Sequence, residues 1–201
     1  MKRILPALVF VVLLFPSLAL DETGKGPHLV KRDGIYYKKF THVPFTGKTT
    51  GTLQGKFRNG KKYGPWISYY VNGQLSLKGT YKNGKWEGPY VRYHQNGKLM
   101  WKETYKNGKR EGPWVDYWKN GQLKGKGNYK DGKREDPWVM YYKNGRLGMK
   151  GTYKDGKKDG PWVFYHDNEQ LWQKGTYKDG KKDGPWVGYS EDGTVEEFFT
   201  G

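Results

Sequence analysis

From residue 55 onward the sequence repeats itself every 24 residues. The phrase Gly55-Lys56-Phe57-Arg58-Asn59-Gly60 returns as Gly79-Thr80-Tyr81-Lys82-Asn83-Gly84, and again from 103, 127, 151 and 175. Six copies follow: 55–78, 79–102, 103–126, 127–150, 151–174 and 175–198, with a tail at 199–201. A fixed period of this length confines the chain to an array of like supersecondary units, each burying its apolar surface against its neighbours. Inside each copy comes a phrase such as Gly112-Pro113-Trp114-Val115-Asp116-Tyr117, then a second turn such as Asn120-Gly121, then a residue such as Leu123.

The Asn-Gly and Asp-Gly pairs at Asn83, Asn96, Asn107, Asn120 and Asp131 stand alternately 13 and 11 residues apart. Such dipeptides accept the positive φ angles of type I′ hairpin turns, so each copy reads as two antiparallel strands. Gly and Pro recur too often for a helix. The expected fold class is all-β: an elongated antiparallel β-meander, an open single sheet of two-strand repeats. Twelve strands would form a ribbon on the order of 55–60 Å long.

Two-residue loops at both turns fix a register. Lys119 then pairs with Gln122, which sets Trp114 opposite Gly127, Trp66 opposite Gly79, Trp138 opposite Gly151 and Trp162 opposite Gly175. An indole beside a strand glycine fills the space of the missing side chain. In the second copy the Trp position holds Tyr90 and its expected partner is Glu103, so both members deviate together. The register sorts the faces: Leu123, Gly125, Gly127 and Tyr129 share a side with Trp114 and Trp118. Lys124, Lys126, Asn128 and Lys130 share the other with Val115 and Tyr117. One reading makes the aromatic ladder structural. The other makes part of it a partner-binding face, represented by Trp101, Trp114, Trp118, Trp138, Trp162 and Trp172.

Basic residues flank the first turn of each copy: Lys82 and Lys85; Lys106, Lys109 and Arg110; Lys130, Lys133 and Arg134; Lys154, Lys157 and Lys158; Lys178, Lys181 and Lys182. A meander stacks these turns along one edge, which gives a ridge suited to polyanions: anionic lipid, lipopolysaccharide, teichoic acid, another glycan or an acidic protein. The same lysines also serve solubility and edge protection. The acids Glu87, Glu111, Glu135, Asp159 and Asp183 recur just after that turn and are expected to pair weakly with neighbouring lysines.

The phrases Gly-x-Tyr-Lys-Asn-Gly-Lys and Trp-Val-x-Tyr with Asn-Gly-Gln-Leu resemble the bacterial variant of the MORN repeat. Together with Asp33-Gly34-Ile35-Tyr36-Tyr37 and Val43-Pro44-Phe45-Thr46-Gly47-Lys48, they look like the YwqK family of antitoxin proteins. That resemblance spans about residues 29–198. It implies β-hairpin repeats, no enzymatic activity, and a protein partner of toxin-like kind that is neutralised by binding. MORN-type repeats also imply membrane association.

Residues 20–54 fall outside the period. Within them Leu29 to Tyr37 reads as a further hairpin, followed by Phe40 to Phe45, and the segment is expected to cap the first repeat. Residues 1–19 have the layout of a secretory signal: basic Lys2-Arg3, an apolar run from Ile4 to Phe15, then Ser17-Leu18-Ala19. Cleavage after Ala19 would leave 182 residues at +15, from 201 at +17. The competing reading is an uncleaved anchor, though Ile4 to Leu20 is 17 residues with two prolines, short for a span of about 20. The expectation is an exported chain, periplasmic or secreted, that meets envelope proteins, lipid or glycan in preference to nucleic acid.

Composition narrows the chemistry. Leu, Ile, Val and Phe make up 37 residues, a share that with this charge reads as disorder, but 9 Trp and 17 Tyr supply the missing apolar area. With no Cys there is no thiol nucleophile and no Cys-based zinc site. His28, His42, His94 and His166 share no metal-ligand spacing, and no nucleophile, base and orienting group can be assembled. The Asp-Gly-Lys-Lys-Asp-Gly at 155–160 lacks the oxygen density of a calcium loop. No cofactor, metal or catalytic residue is expected. Stacking of sugars on the aromatic face is a third binding reading, weakened by the packing role the register gives those rings.

Overall fold

A computed structural model describes residues 28–200, with side chains to residue 196. The signal segment 1–19 and residues 20–27 lie outside the described residues. The described part is strand and turn throughout. A two-stranded sheet, β1 (Leu29–Arg32) and β2 (Ile35–Lys38), precedes one antiparallel sheet whose neighbours follow chain order. That sheet begins with β3 (Gly47–Thr49), β4 (Leu53–Arg58), β5 (Lys61–Tyr69) and β6 (Leu75–Lys82). It continues through β7 (Lys85–Trp86), β8 (Gly88–Tyr93), β9 (Leu99–Lys106), β10 (Lys109–Arg110), β11 (Gly112–Tyr117) and β12 (Leu123–Lys130). It ends with β13 (Lys133–Tyr141), β14 (Leu147–Lys154), β15 (Lys157–Tyr165), β16 (Leu171–Lys178), β17 (Lys181–Tyr189) and β18 (Val195–Thr200). β7 with β8, and β10 with β11, are single arms interrupted at Glu87 and Glu111.

The two turns of each copy differ. At the first, both residues take positive φ, for instance Asn83 at 51° and Gly84 at 80°, and Lys82 pairs with Lys85. This is the expected I′ geometry. At the second, only the glycine does, as at Gly121 with φ 95°. There Trp118 N–H donates to Gln122 O at 2.8 Å and Gly121 N–H to Trp118 O at 2.8 Å. The loop is therefore three residues, with glycine in the left-handed position of a bulge. The expected pairing of Lys119 with Gln122 is corrected, yet Trp114 still faces Gly127. A second bulge restores the register, because Tyr117 pairs with Leu123 while Asp116 pairs with Gly125. At Asn168-Glu169 the turn keeps its length, and Glu169 itself takes φ 76°.

Each Gly-Pro phrase forms another bulge. Gly151 pairs with Trp162 and Thr152 with Asp159, which leaves Gly160 and Pro161 unpaired on that side. A proline with no N–H to donate sits there without cost to the ladder.

The core lies on one face of the sheet. Trp66, Trp138, Trp162 and Trp186 are 0–2% exposed although the described residues form no second layer over them. They are buried by rings on neighbouring strands. Tyr129, Trp138, Tyr153, Trp162, Tyr177 and Trp186 follow one another edge to face, with centroids 4.9–6.1 Å apart. Each such contact adds about 0.5–1.5 kcal/mol beyond the area it buries. Phe45, Phe57 and Trp66 form a second cluster at the other end, joined by Tyr36. There β2 crosses the first repeat: Tyr36 N–H donates to Gly60 O and Phe45 N–H to Tyr36 O, both at 2.8 Å.

Every one of these glycines pairs as the spacing predicts. At Gly127, Gly151 and Gly175, however, the indole over the glycine comes from the other neighbouring strand, and Gly79 is covered by Trp86 and Tyr90. Gly151 is opposite Trp138 on β13 and Trp162 on β15, and only Trp162 covers it. Likewise Trp138 covers Gly127 and Trp186 covers Gly175.

Candidate functional site

The residues expected to form a basic ridge divide between two surfaces. Lys82, Lys85, Lys106, Lys109, Lys130, Lys133, Lys154, Lys157, Lys178 and Lys181 are exposed at the turn edge. Arg110, Arg134, Lys158 and Lys182 pair across the strand with Tyr105, Tyr129, Tyr153 and Tyr177, which puts them on the aromatic face. Arg134 lies 4.6 Å from the Trp138 ring centroid, Lys158 4.5 Å from Trp162 and Lys182 4.4 Å from Trp186. Arg110 donates to Tyr129 Oη and Arg134 to Tyr153 Oη, each at 2.9 Å. Burial, then the neighbouring Arg134 and Lys182, holds the Lys158 amine below its ordinary range. These four cations cap the ring ladder from above. The picture of a charged edge separate from an aromatic face is thus corrected.

Of the aromatic candidates, Trp138 and Trp162 are core residues at 2% and 0% exposure. Trp101, Trp114 and Trp118 are half-buried, and Trp172 is 47% exposed. Lys124, expected on the opposite face, is on this one: its Nζ lies 2.9 Å from Asp116 Oδ2 and 4.9 Å from the Trp118 ring centroid. The bulge beside Gly125 turns it over.

The repeating acids also do something other than expected. Glu87, Glu111 and Glu135 each accept the backbone N–H of the next copy's first turn, at Asn107, Asp131 and Asp155, over 2.8–2.9 Å. It is the turn acids Asp131, Asp155 and Asp179 that meet Lys109, Lys133 and Lys157, at 3.4–3.9 Å and well exposed. Exposed pairs of this kind contribute little.

Between the two turns, three columns vary from copy to copy where the Pro, Trp, Val, Leu and Lys positions barely change. One is Ser76, Met100, Lys124, Gly148 and Trp172, and the other two join into a row. Two residues after the Trp or Tyr position stand Ser68, Arg92, Asp116, Met140, Phe164 and Gly188. Two before the following glycine position stand Leu77, Trp101, Gly125, Met149 and Gln173. The register joins them into an unbroken line across the sheet: Ser68, Leu77, Arg92, Trp101, Asp116, Gly125, Met140, Met149, Phe164, Gln173, Gly188. All are on the aromatic face. Directly behind them, the other face alternates Val115, Lys126, Val139, Lys150, Val163, Lys174 and Val187 almost without variation. Comparing the copies column by column would have found this row in the sequence.

The ladder is interrupted once. Glu103 occupies a glycine position, and Trp114, which would cover it, lies flat against Trp138 at 4.9 Å. The Glu103 side chain, 2% exposed, sits 2.9 Å from Arg110 Nε. It also accepts from Tyr105 Oη at 2.9 Å and Trp101 Nε1 at 3.2 Å. Arg110 in turn bonds Tyr129, so a polar chain links the two aromatic clusters. Among the described residues no three His, Asp or Glu come together as a metal site, and His94 and His166 instead meet backbone oxygens of the next copy, Tyr117 O at 3.0 Å and Tyr189 O at 2.9 Å.

A one-layer hairpin array with a constant scaffold and one varied row defines the class: a repeat scaffold. More particularly, residues 62–83, 86–107, 110–131 and 158–179 match the MORN repeat variant, so those four stretches are repeats of that kind. Repeats of this kind are generally modules that bind proteins or lipids. No curated protein matches the chain. Among solved structures it is similar to a GtfA/B complex bound to UDP and GlcNAc, with 14% identity over 66% of this chain and 24% of that one, at a TM-score of 0.19. It is also similar to accessory secretory protein 1, 2 and 3 of Streptococcus pneumoniae, with 12% identity over 76% and 22%, at a TM-score of 0.18. The chain thus spans about a quarter of the length of those chains.

Proposed function

We propose that this protein is a non-enzymatic, exported binding scaffold that holds a protein partner along the varied row of its aromatic face. The carrying observation is that the residues of this row differ in every copy, while the Trp or Tyr, Pro, Val or Ile and first-turn positions around it stay nearly fixed. The row is apolar toward the C-terminal side, at Met140, Met149 and Phe164 with exposed Trp172 beside Phe164, and polar at Arg92 and Asp116, as a patch with its own specificity requires. The apolar run Ile4 to Phe15 supports export. A toxin-neutralising role, which the likeness to the YwqK family implies, is one form of this reading.

The test is capture from a native envelope extract with tagged residues 20–201, washed at low and high salt. The expected outcome is a stoichiometric protein that survives high salt and is lost with Trp172→Ala and Met149→Ser, while the melting temperature is kept. A second reading, binding of anionic lipid or glycan, is favoured by the exposed lysines at every first turn. It requires captured lipid or glycan that leaves with salt and with Lys109→Glu and Lys133→Glu. Those outer lysines are the ones to reverse, because Lys158 and Lys182 also hold the ring ladder.

A further inference from the structure

The notches between successive first turns are built alike, and one of them lacks a part. In the third copy the notch is lined by Lys106, Asn107, Lys109, Glu111 and the next turn's Asp131, with a volume of about 190 Å³. The same positions of the first copy are Arg58, Asn59, Lys61, Lys62, Tyr63 and Asn83, and there the volume is about 310 Å³. Where the other five copies carry Glu or Asp, the first carries Tyr63; where the later turns carry Asp131, Asp155 and Asp179, it faces Asn83.

The consequence is an exposed turn N–H with no side-chain acceptor, beside cations with no carboxylate, among the described residues. Asn107, Asp131 and Asp155 give their N–H groups to Glu87, Glu111 and Glu135, and Asn59 gives its own to Thr46 Oγ1 at 2.9 Å. Asp179, above the shorter Asp159, has Lys157 beside its carboxylate. For Asn83 N–H no side chain supplies an acceptor among the described residues. Nor does any described carboxylate pair with Arg58, Lys61 or Lys62. Arg58 is stacked over Tyr63 at 4.2 Å, and Lys62 is held over Trp66 and Tyr81 at 4.4 and 5.0 Å. Burial, then nearby Lys31, pushes the Lys62 amine below its ordinary range. Over residues 28–63 the chain has nine Lys and Arg and one acid, Asp33.

We infer that the notch formed by Arg58, Lys61, Lys62 and the Asn83 N–H is a docking site for a carboxylate presented by a protein, a Glu or Asp side chain of an acidic segment. The chain itself shows the chemistry that fits, because three other copies fill the equivalent place with a glutamate oxygen on the turn N–H. A carboxylate here takes the Asn83 N–H and is held by cations already oriented on rings. This rests on the protein-binding reading only in that the carboxylate belongs to a protein. The notch is at the turn edge and shares no residue with the varied row.

The experiment is a titration of the ¹⁵N-labelled protein with a triglutamate peptide blocked at both ends, and separately with inorganic phosphate, at constant ionic strength. The expected result is a saturable shift of the Asn83 amide with the peptide, weakened in Lys61→Ala. Tyr63→Glu supplies the missing group from within, using a residue type the other copies already tolerate. It should shift the Asn83 amide with no peptide present and weaken peptide binding about tenfold or more, the size of a hydrogen bond to a charged group. An unmoved Asn83 amide, or equal binding by Tyr63→Glu, overturns the site. Saturation by phosphate at lower concentration than the peptide overturns the carboxylate assignment. Because the probe is a peptide, failure of the varied row to hold a partner leaves this result unchanged.

Discussion

At the scale of single residues, stability depends on glycines that have normal φ angles and no room. A Cβ at Gly151 would fall inside the Trp162 ring, and one at Gly175 inside Trp186. Gly151→Ala is expected to cost about 2–3 kcal/mol by overpacking, whereas Gly148→Ala, whose Cβ meets the edge of Tyr142 at 3.3 Å, should cost much less; urea melts of the two variants compare them. Titration probes the same core. Burial, then Tyr36, Tyr90 and Tyr105, pushes the Tyr81 hydroxyl up to about 12 from 10.0, and burial raises Tyr90, Tyr105 and Tyr177 as well. A raised folded value means that the unfolded chain releases its proton first. The stabilisation is whole below the ordinary tyrosine range and is lost for Tyr81 between pH 10.0 and about 12. Lys62 and Lys158, lowered by burial, act the other way, but below the ordinary lysine value of 10.5, so they leave most of that window untouched. Melting temperature should therefore fall across that window, and less so in Tyr81→Phe; a flat profile would contradict the burial of these hydroxyls. The pairing of each Trp with a Gly was legible in the spacing. Which Trp covers which Gly was not, since Gly127, Gly151 and Gly175 each have an indole on both sides and the choice is made by how the bulged Gly-Pro arm aims its ring.

At the scale of elements, neighbouring hairpins are sewn together at the second turn by residues that look unrelated in sequence. Tyr70, His94, Trp118, Tyr142 and His166 recur at one position. Each reaches a backbone oxygen 23 residues on, at Tyr93, Tyr117, Tyr141, Tyr165 and Tyr189, over 2.6–3.1 Å. What they share is a hydrogen-bonding group at the far end of a ring. Asn72, Asn96, Asn120, Asn144 and Asn168 do the same one step further along, each donating through Nδ2 to the next turn at 2.9–3.1 Å. Their Oδ1 atoms accept the N–H two residues on, as Asn120 does from Gln122 at 3.1 Å. That local bond explains why an Asn-Gly pair here does not form the I′ turn that the same dipeptide forms at the first turn. The dipeptide alone could not distinguish them, and the register survived only because the longer loop is offset by the bulge beside Gly125. Tyr142→Phe should cost about 1 kcal/mol, while Tyr142→His, which restores a ring N–H, should cost less. Equal losses in denaturant melts would mean that the ring's packing, not its donor, is what matters.

At the scale of the whole molecule, the array is uneven in charge and in cohesion. The stretch 28–63 carries nine basic residues against one acid, whereas 167–197 carries four against eight. An anionic partner is therefore drawn to the N-terminal end, where the acid-free notch lies. Cohesion is uneven because an array that touches only its neighbours is as strong as its weakest junction. Edge-to-face rings run from Tyr129 to Trp186, and a separate cluster joins Phe45, Phe57 and Trp66. Between them the junction is Glu103, Arg110 and Tyr105 with Trp114 displaced. A buried carboxylate held by hydrogen bonds offsets its own desolvation but adds little beyond that. Opening should therefore begin at β9 and β11, and the two halves should differ in protection. Native-state hydrogen exchange is expected to show a step across residues 101–117, with Tyr129 to Trp186 the slower side. Glu103→Gln removes the charge that holds Arg110 and should cost about 2 kcal/mol while making the step larger. Uniform protection from Phe57 to Trp186, unchanged in Glu103→Gln, would show instead that the polar junction couples the two halves as tightly as the rings do.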